Sequence, residues 1–218
     1  VDFLKEAGQS YWQILPLNPT GFGDSPYQSF STFAGNPYFI DLDLLVKEGL
    51  LKSSELKDID WGSDEQRVDY DKINAVRLPV LRNAFQRGRQ SLSEDFAKFR
   101  QENCRWIENY ALFMALKEHF ETPSWPLWPD EDIRLHKAEA VQKYVQLLKE
   151  EIELHAFLQF LFYRQWEQLK AYAHENGIRI IGDIPIYVSF DGADAWANPE
   201  LFELDEENVP TRIAGVPP

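Results

Sequence analysis

Four carboxylates, Asp24, Asp183, Asp191 and Asp194, stand where loops follow short apolar runs, and they are the groups best placed to do chemistry. An aspartate in a turn ordinarily caps a helix or satisfies loop amides, and Asp24 and Asp194 each fit that plain reading. Asp183 differs. It stands at the end of an apolar run, where an ionised carboxylate is costly unless something specific hydrogen-bonds to it. A structural partner and a ligand both answer that need. Other chemistries find less support. Gly21-Phe22-Gly23-Asp24 lacks the third glycine, the immediate helix and the lysine of a phosphate-binding loop. Its glycines suit a sharp turn and a close backbone approach to a ligand. His119, His136, His155 and His174 show no close ligand pairing and fall in helical or interhelical segments, so neither a metal site nor a cofactor is expected. Ser25, in Gly23-Asp24-Ser25-Pro26, is not a nucleophile elbow, and no histidine is placed to activate it. Cys104 lies in a helical stretch with no cue for thiolate activation and reads as packing.

The elements that must position these carboxylates follow from the apolar pattern. Asp2 to Ala7 reads as the last turns of a helix closed by Gly8. Tyr11 to Leu17 is a short apolar run that suits a strand buried on both faces, with Pro16 at its end. Asn18 to about Asp41 is a long irregular stretch, and loops of that length inside a compact domain are functional or disordered. Its five Phe and Tyr between Tyr27 and Phe39 argue against disorder. From Leu42 to about Glu153 the pattern is helical. Trp106, Tyr110, Phe113, Leu116 and Phe120 predict a helix burying one stripe, and Val141, Val145 and Leu148 a weaker one. The run from Pro123 to Pro129 predicts a rigid break between them. Leu154 to Ala173 predicts a long helix ending at Asn176-Gly177. Ile178 to Ile186 follows as a second buried strand, so the alternation is that of a parallel barrel or open sheet. In such folds the chemistry sits past the carboxyl ends of the strands, which directs attention to Asn18–Asp41 and to Asp183–Trp196.

Bulk properties narrow the partners. The 218 residues carry 22 Lys and Arg against 36 Asp and Glu, a net charge of −14. Such a surface repels phosphate backbones and anionic lipid, so neither nucleic acid nor a membrane surface is an expected partner. A neutral sugar polymer feels no such repulsion, and the aromatic content of 14% fits either a large core or a sugar-stacking cleft. The single cysteine excludes an internal disulfide and with it a stapled secreted domain. No run of about 18 apolar residues and no basic-then-apolar leader occurs, so a soluble, cytoplasmic protein is expected. Both ends read as cut, since Val1 opens in mid-helix and Pro218 closes in a loop. No feature fixes an oligomeric state.

Six motifs carry a resemblance. Trp12 to Thr20 (WQILPLNPT), Gly23 to Gln28 (GDSPYQ), Ala34 to Pro37 (AGNP), Gly182 to Val188 (GDIPIYV), Asp194 to Trp196 (DAW) and Ala214 to Pro218 (AGVPP) resemble the amylomaltase and disproportionating-enzyme family of 4-alpha-glucanotransferases, in its order and spacing. The resemblance covers the chain end to end, most weakly through the helical middle. It implies an α/β fold, part of a (β/α)8 TIM barrel of the α-amylase clan. It divides the chain into a barrel segment with strand and substrate loop at 1–41, a mostly helical insertion at 42–153, and a barrel helix, strand and following loop at 154–218.

The implied activity is transfer of α-1,4-glucan segments to an acceptor glucose or maltooligosaccharide, with retention. Retention needs two carboxyl groups about 5 Å apart, one nucleophile and one acid/base. The family's motifs for these and for a third, stabilising carboxylate are an Arg-x-Asp-His run, a Glu-Asp-Leu run and a His-Asp pair. None occurs in this sequence. The resemblance therefore implies no catalytic residue here, only substrate contacts. Tyr27 would stack on the sugar at the cleavage point, Asp183 would hydrogen-bond that sugar, and Ser25 would make a nearby hydroxyl contact. Trp12 and Asn36 would be scaffold. An α-amylase-like hydrolase and a non-catalytic glucan-binding module are the alternatives.

Overall fold

The computed structural model describes residues 1–62, 64, 66–122 and 124–212. The motif Ala214-Gly215-Val216-Pro217-Pro218 and Pro123 of the expected break lie outside the described residues. In chain order the helices are α1 (Asp2–Glu6), α2 (Leu42–Lys47), α3 (Tyr70–Ser91), α4 (Ser93–Glu102), α5 (Ile107–Phe120), α6 (Glu131–Arg134), α7 (Ala138–Leu147), α8 (Lys149–Glu175) and α9 (Ala193–Ala197). Two strands, β1 (Tyr11–Gln13) and β2 (Arg179–Ile181), form a parallel pair with Tyr11 opposite Arg179 and Gln13 opposite Ile181. The ladder extends one bond further, from Ile14 N to Ile181 O at 3.0 Å. No helix among the described residues is long and apolar enough to cross a membrane.

β1 is shorter than the expected Tyr11–Leu17. Pro16 has no N–H to give a ladder, and the carbonyl of Leu17 is taken by Asn36 N at 2.8 Å, so the chain turns into its loop early. Neither strand is buried on both faces. Tyr11 is 53% exposed and Ile181 47%: α8 packs against β2, while the face that carries Tyr11 and Ile181 stays open to solvent. Past β2, Ile184 and Ile186 are likewise exposed.

The core lies in the helices. From Leu154 to Phe162 every residue of α8 is buried, whichever way it points. That burial is possible because α3, α4, α5 and α7 surround the helix. Phe157 meets the rings of Phe85 at 5.5 Å and Phe96 at 5.3 Å, near edge-on. α5 differs from the one-stripe expectation for the same reason: Ile107, Tyr110, Ala111, Leu112, Phe113, Ala115 and Leu116 are all buried, since α7, α8 and α9 pack around it. On α7 the buried face is Ala140 and Tyr144, one residue round from the expected Val141 and Val145. The Tyr144 hydroxyl donates to Asp130 Oδ2 at 2.9 Å and its ring lies 5.5 Å from Phe120, which turns that face inward and leaves Val145 39% exposed. Cys104 is exposed between α4 and α5 and packs against no core. The packing role expected for it therefore does not arise, because the chain turns between the two helices there.

Candidate functional site

Because β1 and β2 are parallel, the segments leaving their carboxyl ends rise from one edge of the sheet. Tyr27 stands in the loop after β1 and Asp183 two residues beyond β2. The Tyr27 hydroxyl donates to Asp183 Oδ2 at 2.8 Å, and Ile184 N donates to Asp183 Oδ1 at 2.8 Å. Asp183 is exposed, so the desolvation expected at the end of an apolar strand does not arise: the strand itself is open to solvent. Tyr27 is 43% exposed, its ring available to a ligand. Ser25 turns inward on its own loop, its Oγ accepting from Tyr27 N at 3.3 Å and its carbonyl from Gln28 N at 3.2 Å. It shapes the turn that presents Tyr27.

The hydrogen bond to Asp183, with smaller contributions from burial and from the carboxylate's charge, holds the Tyr27 phenol above its ordinary range. The protonated phenol is therefore favoured in the folded chain. The stabilisation is complete below about pH 10 and is lost as pH rises through the raised value. Ultraviolet titration of the chain against Tyr27→Phe should show one phenol ionising late, and Asp183→Asn should bring that ionisation down toward pH ~10. An unshifted titration in the Asp183 variant would show that the bond is not formed in solution.

The loop that carries Tyr27 has little secondary structure of its own, and side chains hold it. Asn18 Nδ2 donates to the carbonyls of Ser31, Thr32 and Ala34 at 3.1, 3.0 and 3.2 Å, closing the loop on its own stem. Two glutamines of α8 then grip its backbone. Gln159, wholly buried, accepts from Gly35 N at 2.7 Å and donates to Gly35 O at 2.9 Å. Gln165 repeats the pairing with Asp41, at 2.7 and 3.1 Å. Gly35 must lack a side chain here, because a Cβ would lie 2.0 Å from the Phe162 ring. Asn36 caps the short turn Pro37–Phe39 by accepting from Tyr38 N at 2.9 Å, and the Tyr163 hydroxyl donates to Phe33 O. Gly21 makes its close approach to the loop itself rather than to a ligand: a Cβ would lie 2.0 Å from Gln28 O.

Of the remaining carboxylates, Asp191 and Asp194 tie segments of the chain together. Asp191 accepts from Lys117 Nζ at 2.7 Å and from Trp125 N at 3.1 Å, tying the segment after β2 to α5. Asp194 is not a helix cap but accepts from Thr32 in the Tyr27 loop. Asp24 ends the turn Phe22–Asp24 with φ 54 and is exposed. His155 Nε2 lies 3.0 Å from Glu118 Oε1 in the core. Among the described residues no cluster of His, Cys, Asp and Glu could hold a metal. Asn18, Gln159 and Gln165 were not singled out from the sequence. The legible signal was a lone polar residue, Gln159, inside Phe157-Leu158-Gln159-Phe160-Leu161-Phe162.

Comparison with known proteins gives this edge a lineage. A family model for 4-alpha-glucanotransferase matches residues 1–218, and the chain belongs to that family. It is 51% identical over 219 residues to a 4-alpha-glucanotransferase of Streptococcus pneumoniae, covering all of this chain and 43% of that protein. It is 47% identical over 218 residues to one from Clostridium butyricum, covering 45% of that protein. Its structure superposes on an amylomaltase from Streptococcus agalactiae in complex with acarbose with TM-score 0.95 at 46% identity, over 99% of this chain and 44% of that one. The chain thus spans less than half the length of the relatives it matches.

Proposed function

We propose that these residues form the early part of a (β/α)8 barrel in a cytoplasmic, retaining 4-alpha-glucanotransferase, and that they hold substrate rather than perform the bond chemistry. The observation that carries the reading is the Tyr27–Asp183 hydrogen bond at the shared carboxyl edge of two parallel strands. A partly exposed aromatic ring beside a solvent-facing carboxylate is a sugar-recognition pair. The ring covers the C–H face of a pyranose, and the carboxylate accepts from its hydroxyls in charge-assisted hydrogen bonds. Ser25 supports the turn that aims the ring. The amylomaltase in complex with acarbose, at 46% identity over nearly all of this chain, supports a glucan-like ligand for the whole protein. Cleavage and transfer require a pair of carboxyl groups about 5 Å apart. The family's motifs for them are absent from these 218 residues.

The test has two arms. The full-length protein given maltotriose should release glucose and build longer maltooligosaccharides, and the purified 218-residue chain should do neither. Transfer by the chain alone would place catalytic carboxylates within it and overturn the substrate-only reading. Binding of maltooligosaccharide by the full-length protein without any product would favour a glucan-binding module instead.

A further inference from the structure

The Tyr27 loop and the segment that carries Asp183 meet twice: at their tips through the Tyr27–Asp183 bond, and again at their bases. At the base, Asp194 Oδ2 accepts from both Thr32 N at 2.6 Å and Thr32 Oγ1 at 2.8 Å. Beside it, Ala193 N donates to Phe30 O at 2.8 Å. The two backbones are so close that a Cβ on Gly192 would lie 3.0 Å from Ser189 O and 3.2 Å from Phe30 O. The helix bearing Asp194 is itself fixed. Trp196 is fully buried, its indole donates to Ile133 O at 2.8 Å, and its ring packs on Phe113 and Trp128. Asp194 is therefore a rigid peg, and Thr32, five residues beyond Tyr27, is what hangs on it.

The two contacts differ in what a ligand does to them. A sugar hydroxyl that donates to Asp183 competes with the Tyr27 phenol for the same carboxylate, so the tip contact is weakened as the site fills. At the base, Asp194 Oδ2 already accepts two bonds from Thr32, one of them from the backbone, so a single sugar hydroxyl is a weaker competitor there. We propose that Asp194 is a positioning residue for this site: by pinning Thr32 it keeps Tyr27 over the sugar when the Tyr27–Asp183 bond is given up to substrate. The role rests on the sugar-binding reading of Tyr27 and Asp183, while the latch itself does not.

Hydrogen exchange reads the latch without any activity. In Asp194→Ala the amides of residues 27–34 should exchange about tenfold faster than in the unsubstituted protein, since a charge-assisted bond that holds the loop closed is gone. Asp194→Asn, which keeps an acceptor oxygen in place, should fall between, and Thr32→Val, which removes only the hydroxyl donor, should change exchange about threefold. Unchanged exchange across this loop in Asp194→Asn and Thr32→Val, both conservative enough to keep the fold, overturns the latch. Activity of the full-length protein on maltotriose then reads the positioning. Asp194→Ala should lower kcat/KM about tenfold beside an intact Tyr27 and have little further effect in a Tyr27→Ala background. Losses that multiply would mean that Asp194 acts elsewhere, and they overturn the positioning role. If the full-length protein shows no transfer at all, the functional reading fails, and the exchange comparison decides the latch alone.

Discussion

In the full-length protein, Asp183→Asn is expected to lower kcat on maltotriose about ten- to a hundredfold while KM moves much less. Asparagine fills the same space and can still accept from Ile184 N, so the local turn survives the change. What it loses is charge. A hydrogen bond from a sugar hydroxyl to a carboxylate contributes roughly 1.5–3 kcal/mol, about twice its neutral counterpart. Such bonds strengthen as the ring distorts toward an oxocarbenium ion, so the loss falls mainly on the transition state and appears in kcat. The competing account makes Asp183 only a partner for loop groups, which the bonds from Tyr27 and Ile184 would allow. Measuring kcat and the thermal midpoint on one variant separates the two. An unchanged kcat, or an activity loss matched by unfolding, would make Asp183 structural.

The second large effect is on stability. Gln159→Leu should destabilise the chain by about 2–5 kcal/mol, because it strands the N–H and C=O of Gly35 in a dry core at roughly 1–3 kcal/mol each. Leucine is close enough in size to leave little cavity, so the loss measures the broken hydrogen bonds and not a void. Gln165→Leu removes the same pair of bonds from Asp41, but at an exposed position where water replaces them. It should cost less than about 1 kcal/mol. Denaturant unfolding of both variants makes the comparison, and equal losses would show that burial is not what gives the Gly35 clamp its strength. Gln159→Leu should also loosen the loop that presents Tyr27, since that clamp lies eight residues beyond the ring.

Local patterns carried the order of elements well. The short apolar run before a Pro-bounded loop, the long helix that stops at Asn176-Gly177 and the apolar run directly after it were all legible, and they implied two parallel strands with loops at one edge. That Tyr27 should matter came from resemblance alone, since nothing in composition or periodicity marks an exposed tyrosine in a loop, whereas Asp183 was already marked by its place at the end of an apolar run. The structure brings their side chains within hydrogen-bond distance although 156 residues separate them. Where local reading failed, neighbours were the cause. The stripe expected on α5 became a broad buried face because α7, α8 and α9 pack on it, and strands read as fully buried proved open on one face.

By itself, then, the sequence determined the order of the elements, that the strands run parallel, and which family's motifs the loops carry. Only the tertiary structure decided which faces are buried and what holds the loop in place. Gln159 grips Gly35 across 124 residues, and Asp194 holds Thr32 across 162. Propensity and periodicity act over a few residues, because they arise from backbone sterics and from the repeat of a single element. A hydrogen bond between distant side chain and backbone depends instead on where whole elements come to rest. In the sequence, a glutamine inside an apolar helix shows only as a break in the pattern; packed against the loop, it supplies the partner that buried Gly35 requires.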